Sequence, residues 1–282
     1  MKVAAVQMDV KLGEVERNRA AIIDFIKETR SQGAQLTIFP ECALTGYCFD
    51  SVAEALPFTE PAPGPSTDLI VHSLREVGGH AVFGMLTPSA DGVYNTAVLA
   101  GPQGIIAAYR KIHLPGLGID QYASYGDRPF EVHDLGEIRV GLGICYDSAF
   151  PESSRIMALQ GADLIALPTN FPTGAENMTK HVINARAMEN KIYFAAVNRV
   201  GTERGFRFIG ETTIADPDGN TLGKGSPDAA EVLYFDVDPR KSREKRIVRV
   251  PGKHAIDRMA DRRPEMYAKL VEPHSLPRPG RE

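Results

Sequence analysis

Cysteine is scarce in this sequence of 282 residues, which contains only Cys42, Cys48 and Cys145. An odd number of cysteines argues against a disulfide framework, and these three lack the paired spacing of structural zinc ligands. We therefore expect neither a disulfide-stapled fold nor a metal site. Any special role for a cysteine has to come from the chemistry of a free thiol.

Long apolar runs and an excess of either charge are also missing. No stretch is apolar for long enough to span a bilayer, and residues 1–7 pass directly into a strand-like pattern without the apolar core of a signal peptide. Charged residues make up 24% of the chain and nearly cancel, leaving a formal net charge of −4. This balance gives no sign of the excess positive charge that binds nucleic acid or an anionic membrane. We predict a cytoplasmic protein whose partner is a small molecule.

Short β-rich runs alternate with helical periodicity along the chain. Three strand-like runs, residues 80–86, 94–100 and 105–109, are joined by turn signals and predict a meander. After them, strands and helices alternate, which indicates βαβ crossovers and the α/β class. No repeat or low-complexity segment divides the chain, so we predict a single domain over residues 1–282. Its C-terminal tail is expected to begin at about residue 250.

The stretch from residue 139 to 147 is the most informative part of the sequence. It is apolar and punctuated by glycine, as in a buried strand, and residues 150–152 have the composition of a helix start. Cys145 is therefore predicted to lie on a strand-to-helix turn. Backbone N–H groups at such a turn favour the thiolate and are suited to hold an oxyanion. A free cysteine is also often a small buried apolar residue, and this stretch alone leaves both interpretations open.

Two other ionisable residues occupy equivalent positions after strands. Glu41 follows the β-rich run 35–39, and Lys111 follows the run 105–109. Ligand-binding groups collect at the carboxyl ends of strands in sheets with crossovers. Taken singly, Glu41 and Lys111 are equally compatible with surface charges. Taken with Cys145, they are expected to meet in one cleft as a base, a cation and a nucleophile.

These positions fall within segments that match a known family. The matching segments are residues 39–41 with 45–47, 109–114, 143–147 with 150–152, 185–190, and 208–210 leading to 216–219. Over residues 1 to about 238 the chain resembles the nitrilase (carbon–nitrogen hydrolase) superfamily. The resemblance implies a four-layer α-β-β-α sandwich whose subunits pair through an outer helical layer as homodimers or larger homo-oligomers. The tail from about residue 250 is then expected to pack on a partner subunit.

The resemblance also implies a catalytic triad of Glu41, Lys111 and Cys145. Glu41 is expected to take the proton from Cys145 as general base, and the sulfur then attacks a carbonyl carbon. The Lys111 ammonium and the backbone N–H of Tyr146 are expected to hold the oxyanion. The scheme requires no metal and no organic cofactor.

The residues after the nucleophile indicate a branch of the superfamily. True nitrilases tend to carry Cys-Trp-Glu, whereas Cys145, Tyr146 and Asp147, with residues 150–152, resemble the amidase-like branches. We therefore predict hydrolysis of a small carboxamide to a carboxylic acid and ammonia through a thioester. Nitrile hydrolysis and N-carbamoyl hydrolysis on the same triad are alternatives.

Activities of other classes stay open at this point. One is a non-catalytic binding or scaffold protein that keeps the fold. Another is thiol redox sensing, with Cys42 or Cys48 as the resolving partner of Cys145. A third is a cysteine–histidine hydrolase, for which the candidate bases are His113, His133 and His181, although none has a local signature linking it to the cysteine.

Family amidases often carry a second glutamate in the loop after the lysine, and this sequence has none between Lys111 and Asp127. Asp120 is the candidate second acid, although its side chain is one methylene shorter than that of glutamate. A turn carboxylate that binds its own backbone is an equally good interpretation of Asp120.

Substrate contacts are expected from loops that border the predicted cleft. The candidates are Tyr47, Asn170 and Phe171, each of which is equally compatible with ordinary loop packing. Glu203 and Arg204 are expected to be able to reach the mouth of the cleft from another loop. The sequence does not choose an acyl group.

Overall fold

Two six-stranded sheets stand at the centre of the structure, a computed structural model that describes residues 1–281. The first sheet consists of β1 (Lys2–Gln7), β2 (Leu36–Ile38), β3 (His80–Ser89), β4 (Gly92–Gly101), β5 (Gly104–Arg110) and β14 (Glu231–Asp236). Its order from edge to edge is β14-β1-β2-β3-β4-β5. Strands β1, β2 and β3 are parallel, and β3, β4 and β5 form the predicted antiparallel meander.

The second sheet is built from the later part of the chain. It consists of β6 (Val132–Asp134), β7 (Arg139–Leu142), β8 (Leu164–Pro168), β9 (Tyr193–Val197), β12 (Thr213–Ala215) and β13 (Thr221–Lys224). The order is β13-β12-β9-β8-β7-β6, with β7, β8 and β9 parallel. The predicted crossovers are therefore present in this sheet.

Helices connect the parallel strands and cover the outer faces of the sheets. They are α1 (Val15–Ser31), α2 (Val52–Ala55), α3 (Pro65–Val77), α4 (Pro151–Leu159), α5 (Ile183–Asn190) and α6 (Pro239–Arg243). Helix α5 is preceded by a π-helical turn, Met178–Val182. Two short hairpins complete the structure: β10 (Thr202–Glu203) with β11 (Phe206–Arg207), and β15 (Arg246–Val250) with β16 (His254–Asp257).

Alternation of side chains along the strands accounts for the layers. On β3, Ala81 and Phe83 pack with the apolar faces of α1 and α3, whereas Val82 points to the other side and packs between the sheets. The second sheet contributes residues such as Leu142 and Ile165 to the same core as Val82. Each fully buried aliphatic side chain of this kind contributes about 1.5–3 kcal/mol. The predicted four-layer α-β-β-α sandwich is confirmed.

The C-terminal segment returns to the loop that follows β5. Arg281 donates hydrogen bonds of 2.6 Å to the backbone oxygens of Asp120 and Ala123, and its guanidinium stacks on Tyr125. Among residues 1–281, no helix has the length and apolar character needed to cross a membrane.

Candidate active site

Three strand ends bring the predicted ionisable residues to one region. Glu41 lies three residues beyond β2, Lys111 directly follows β5, and Cys145 lies three residues beyond β7. The first two come from one sheet and the third comes from the facing sheet. All three are buried, and Cys145 retains 8% exposure. The charges of Glu41 and Lys111 both act on the Cys145 thiol.

Lys111 lies between two carboxylates. Its Nζ atom is 2.7 Å from Glu41 Oε1 and 2.5 Å from Asp120 Oδ2, and none of the three side chains is exposed to solvent. Burial by itself lowers the pKa of Lys111, but the negative charges of Asp120 and Glu41 outweigh it and hold that pKa well above its ordinary value. The ammonium is therefore kept charged at neutral pH.

The side chains of Glu41 and Cys145 both have raised pKa values, and burial is the main cause in each case. Burial raises the pKa of Glu41; Lys111 opposes this shift and Asp120 adds to it. Burial also raises the pKa of Cys145, and the Glu41 charge adds to that effect while Lys111 counteracts it. The protonated thiol is therefore favoured over the thiolate, and a thiol of this kind acts as a nucleophile only with a base beside it. Glu41 Oε2 is buried and has no hydrogen-bond partner among residues 1–281, so it is free to serve.

Asp120 lies in a short 3-10 turn, Gly118–Gln121, and its carboxylate points at Lys111. It also accepts hydrogen bonds from the Tyr47 hydroxyl (2.8 Å) and from Asn95 Nδ2 (2.9 Å). These partners are side chains from distant parts of the chain. The interpretation of Asp120 as a carboxylate satisfied by its own turn does not describe this geometry.

Asn95 is a member of the site that sequence reasoning missed. It lies in β4, is 1% exposed, and donates from Nδ2 to Glu41 Oε1 at 2.7 Å as well as to Asp120. Its Oδ1 atom accepts from Cys42 Sγ at 3.6 Å. The available signal was a carboxamide inside an otherwise apolar strand, since buried polar side chains need partners.

The turn that carries Cys145 is held in a left-handed conformation. Cys145 has φ of 42°, which L-residues seldom adopt, and it opens the 3-10 turn Cys145–Ala149. Helix α4 begins only at Pro151, so the 3-10 turn, rather than the α-helix itself, carries Cys145. The backbone N–H of Tyr146 belongs to this turn, and the Tyr146 ring packs edge-on against Phe150.

Asp147 anchors that turn and was not assigned a role from the sequence. Its Oδ2 atom accepts hydrogen bonds from the Ile144 backbone N–H and the Tyr109 hydroxyl, both at 2.8 Å. Its Oδ1 atom lies 2.7 Å from His113 Nδ1. Because Tyr109 and His113 flank Lys111 along the chain, Asp147 ties the lysine segment to the cysteine turn.

The predicted substrate contacts have different surroundings. Tyr47 is buried, its hydroxyl is committed to Asp120, and its ring centroid is 5.9 Å from Lys111 Nζ. Asn170 and Phe171 follow β8 and are buried, and the backbone of Asn170 lies beside the Cys145 sulfur. Both polar side-chain atoms of Asn170 lack a hydrogen-bond partner within residues 1–281. An unpartnered buried amide of this kind is suited to meet a ligand.

Glu203 and Arg204 are both engaged in ion pairs. Glu203 is buried, pairs with Arg199, and accepts hydrogen bonds from the backbone N–H groups of Tyr47 (3.0 Å) and Cys48 (2.9 Å). Arg204 forms ion pairs with Asp50 and Glu54. Glu203 therefore supports the loop that carries Tyr47.

The histidines and the other cysteines do not form an alternative catalytic pair in the described part of the chain. His113 is bound to Asp147 and stacks on Phe150, with 3.8 Å between the ring centroids. Among residues 1–281, neither His133 nor His181 hydrogen-bonds to the cysteine sulfur. All three cysteines are free thiols, and no group of residues there has the composition of a metal site.

Comparison with known proteins identifies the family. The family model described as carbon-nitrogen hydrolase matches residues 2–247. The chain belongs to the carbon–nitrogen hydrolase family. The predicted membership of the nitrilase superfamily, in its amidase-like branch, is confirmed by this match together with the relatives and structures that follow.

Two curated relatives illustrate the range of this family. A protein named nitrilase from Pyrococcus abyssi (strain GE5 / Orsay) is 39% identical over 268 residues, covering 95% of this chain and 99% of its own. An (R)-stereoselective amidase from Pseudomonas sp. is 33% identical over 245 residues, covering 86% of this chain and 87% of its own.

Solved structures of an amidase from Nesterenkonia sp. share the fold. One superimposes with a TM-score of 0.80 at 25% identity, covering 96% of each chain. A mutant of the amidase from Nesterenkonia sp. AN1, at 26% identity and a TM-score of 0.79, is described with acrylamide added to its active-site cysteine. This carbon–nitrogen hydrolase is thus similar to amidases of known structure, one of which carries an adduct on its active-site cysteine.

Proposed function

We propose that this carbon–nitrogen hydrolase converts a small carboxamide and water to a carboxylic acid and ammonia through a thioester on Cys145. The observation that carries the proposal is the buried Lys111 ammonium held by Glu41 and Asp120, with Glu41 Oε2 left unpartnered. This arrangement provides a fixed cation and a free carboxylate oxygen beside one thiol. The amidases among the similar proteins support the choice of a carboxamide.

The first step is formation of the tetrahedral intermediate. Glu41 Oε2 accepts the thiol proton while the sulfur attacks the substrate carbonyl carbon, and the carbonyl electron pair moves onto oxygen. The raised pKa of Glu41 makes it a stronger proton acceptor than an ordinary carboxylate, which suits a thiol whose own pKa is raised. In this scheme Glu41 is the general base and Cys145 the nucleophile.

The oxyanion is held by Lys111 Nζ and by the backbone N–H of Tyr146. Lys111 is suited to this role because its pKa stays high and its position is set by two carboxylates before substrate arrives. A preorganised donor of this type is worth about 3 kcal/mol of transition-state stabilisation. Asp120 acts in the scheme as the second acid, which holds the ammonium in place.

Collapse of the intermediate releases ammonia. Glu41 returns the proton to the departing nitrogen, the C–N bond breaks, and a thioester remains on Cys145. A water molecule then gives a proton to Glu41 and attacks the thioester carbon, and the proton returns to sulfur as the acid leaves. The balance is one water consumed for each amide, without a metal or an organic cofactor.

Tyr47, Asn170 and Phe171 are the proposed walls of the substrate pocket. All three are buried; Tyr47 lies near Lys111, the backbone of Asn170 lies beside Cys145, and Phe171 is the next residue along that loop. The unpartnered amide of Asn170 provides an NH2 donor group and a carbonyl acceptor for the polar part of the substrate. Nitrile hydrolysis is the second candidate function, favoured by the name of the Pyrococcus abyssi relative.

We further propose a homodimer or larger homo-oligomer built through the outer helices. Ile156, Leu159 and Met188 are apolar and more than 40% exposed on α4 and α5, which favours a covered surface there. The single-domain organisation, with a tail from about residue 250 that contacts a partner subunit, belongs to the same proposal. The cytoplasmic location stays a prediction from the sequence.

The test is ammonia release from a panel of aliphatic amides, aromatic amides, ω-amidodicarboxylates, N-carbamoyl compounds and nitriles. Wild type is compared with Cys145→Ala and Cys145→Ser, and an acyl adduct on Cys145 is sought by intact mass. Activity on small amides that disappears in both variants supports the proposal. Predominant nitrile turnover favours the second candidate, whereas full activity in Cys145→Ala excludes a cysteine nucleophile.

A further inference from the structure

We infer that Asn95 is a positioning residue that fixes the Glu41 carboxylate, so that Oε1 is occupied and Oε2 alone is available for proton transfer. The inference rests on the proposed function, because it assigns a role to Asn95 within that same site. The side-chain amide of Asn95 bridges Glu41 and Asp120 with hydrogen bonds of 2.7 and 2.9 Å. None of the roles assigned to the triad includes this residue.

Chemistry determines the orientation of the Asn95 amide. The two groups facing Nδ2 are carboxylates next to an ammonium, and ionised carboxylates only accept hydrogen bonds. The NH2 end must therefore face them, and Oδ1 faces the Cys42 thiol, which donates at 3.6 Å. Every polar atom of the amide then has a suitable partner. Asn95 is further fixed because its backbone oxygen accepts from the Lys111 N–H at 2.9 Å.

The two oxygens of Glu41 become unequal as a result. Oε1 accepts from both Lys111 Nζ and Asn95 Nδ2, each at 2.7 Å, whereas Oε2 is buried and has no partner among residues 1–281. With Lys111 alone, the carboxylate retains freedom to rotate about the contact. A second donor from a different direction removes that freedom, which is how a general base is held in a productive orientation.

Asn95 also offsets a charge imbalance. Glu41 and Asp120 share one ammonium, so two buried negative charges face one positive charge. Each of the two N–H bonds of Asn95 Nδ2 points at a different carboxylate and stabilises its ionised form. Without those donors, a proton binds Glu41 more readily, and the base is lost at a higher pH than in wild type.

The experiment compares Asn95→Leu with wild type in amide hydrolysis from acid to neutral pH. The substitution keeps the branched outline of the side chain, with somewhat greater bulk, but removes both donors. We expect kcat to fall by roughly tenfold to a hundredfold with little change in KM, because base catalysis is worth about 10² to 10⁴ in rate. The acid limb of kcat/KM should move up by about one pH unit, the effect of losing a charge-assisted hydrogen bond.

Thr96→Val is the matched control on the same strand. Thr96 is also 1% exposed and exchanges a hydrogen bond of 2.7 Å with Thr87, without contacting either carboxylate. The Thr96→Val substitution should lower thermal stability but leave the acid limb of the kcat/KM profile unchanged. If Asn95→Leu does not fold, the isosteric Asn95→Asp carries the test, since a third carboxylate in the cluster must also move the acid limb upward.

The two hypotheses fail in different ways. A wild-type enzyme that hydrolyses amides through Cys145, together with an Asn95→Leu profile that superimposes on it, overturns the positioning role alone. A wild type without Cys145-dependent hydrolysis overturns the proposed function. In that case the rate at which iodoacetamide alkylates Cys145, measured against pH, still tests Asn95. If the acid limb of this rate profile lies at higher pH in Asn95→Leu than in wild type, the positioning role is supported. If the two profiles coincide, the positioning role is overturned.

Discussion

The hydroxyl of Tyr109 donates a hydrogen bond of 2.8 Å to Asp147, across a sequence separation of 38 residues. Tyr109 stands two residues before Lys111 at the end of β5, and Asp147 stands two residues after Cys145 in the turn beyond β7. The contact therefore joins the two sheets at the point where the proposed cation and nucleophile must meet.

Asp147→Asn should lower kcat by about tenfold or more with a small effect on KM. An amide oxygen still accepts from the Tyr109 hydroxyl and the Ile144 N–H, but it carries no charge, and the amide NH2 group can face His113 only if Nδ1 of that ring is the acceptor. Steady-state kinetics on a small amide checks this, alongside a loss of about 1–3 kcal/mol in unfolding free energy measured in urea. Tyr109→Phe removes one contact and should have a smaller effect. An unchanged kcat in Asp147→Asn would show that the contacts of Asp147 do not support catalysis.

Lys111→Gln should abolish most turnover and also destabilise the fold by about 3–5 kcal/mol, because it leaves Glu41 and Asp120 buried without their cation. Adding Asp120→Asn to this variant should recover part of the stability, since one uncompensated charge is removed, but not the activity. Urea denaturation and ammonia release measure the two effects separately. Near-normal turnover in Lys111→Gln would exclude the lysine from oxyanion binding.

Glu203→Gln should destabilise the protein by about 1.5–3 kcal/mol, because the buried Arg199 guanidinium loses the nearer of its two carboxylate partners and keeps only Asp9, at 3.5 Å. Its effect on kcat should be secondary, acting through the loop that positions Tyr47. Arg204→Ala is the control, since Arg204 forms its ion pairs with Asp50 and Glu54 at the surface and should matter little. Equal melting temperatures for the two variants would contradict a structural role for Glu203.

Lys245 should make the free energy of unfolding change with pH in the alkaline range. Its partial burial lowers the pKa to about 8, from an ordinary value of 10.5, although Nζ donates to the backbone oxygens of Asn190 and Lys191. Between these values the unfolded chain binds more protons than the folded one, so this group's contribution to stability increases as pH rises from 8 to 10.5. Comparing urea unfolding of wild type and Lys245→Met over that range isolates the effect. Parallel curves would show that Lys245 does not contribute it.

Prediction from the sequence worked best where a residue's position in the fold follows from its local surroundings. Glu41, Lys111 and Cys145 each stand just past a strand, and strand ends are legible in the β-rich runs that precede them. The order of layers came from the resemblance to a family, since alternation along a strand shows two faces but not what covers each. Asp120 is a candidate because the family resemblance implies a second acid in the loop after Lys111, and only its contacts with Tyr47, Asn95 and Lys111 distinguish it from a turn residue.

Other parts of the site depend on partners that are distant along the chain. Asn95 gave only the signal of a polar residue in an apolar strand, and it contacts Glu41 across 54 positions. Glu203 and Arg204 resembled mouth residues because they are polar and lie in a loop, yet each is held by an ion pair that no local pattern reveals.

The sequence by itself determined the class of fold, the family, and which residues we propose as base, cation and nucleophile, because hydrophobic alternation and short motifs are local properties. Only the tertiary structure decided which oxygen of Glu41 is free, how Asp120 reaches Lys111, and what anchors the Cys145 turn. Those features depend on distances between strands of two different sheets, and packing sets such distances only when the whole chain has folded.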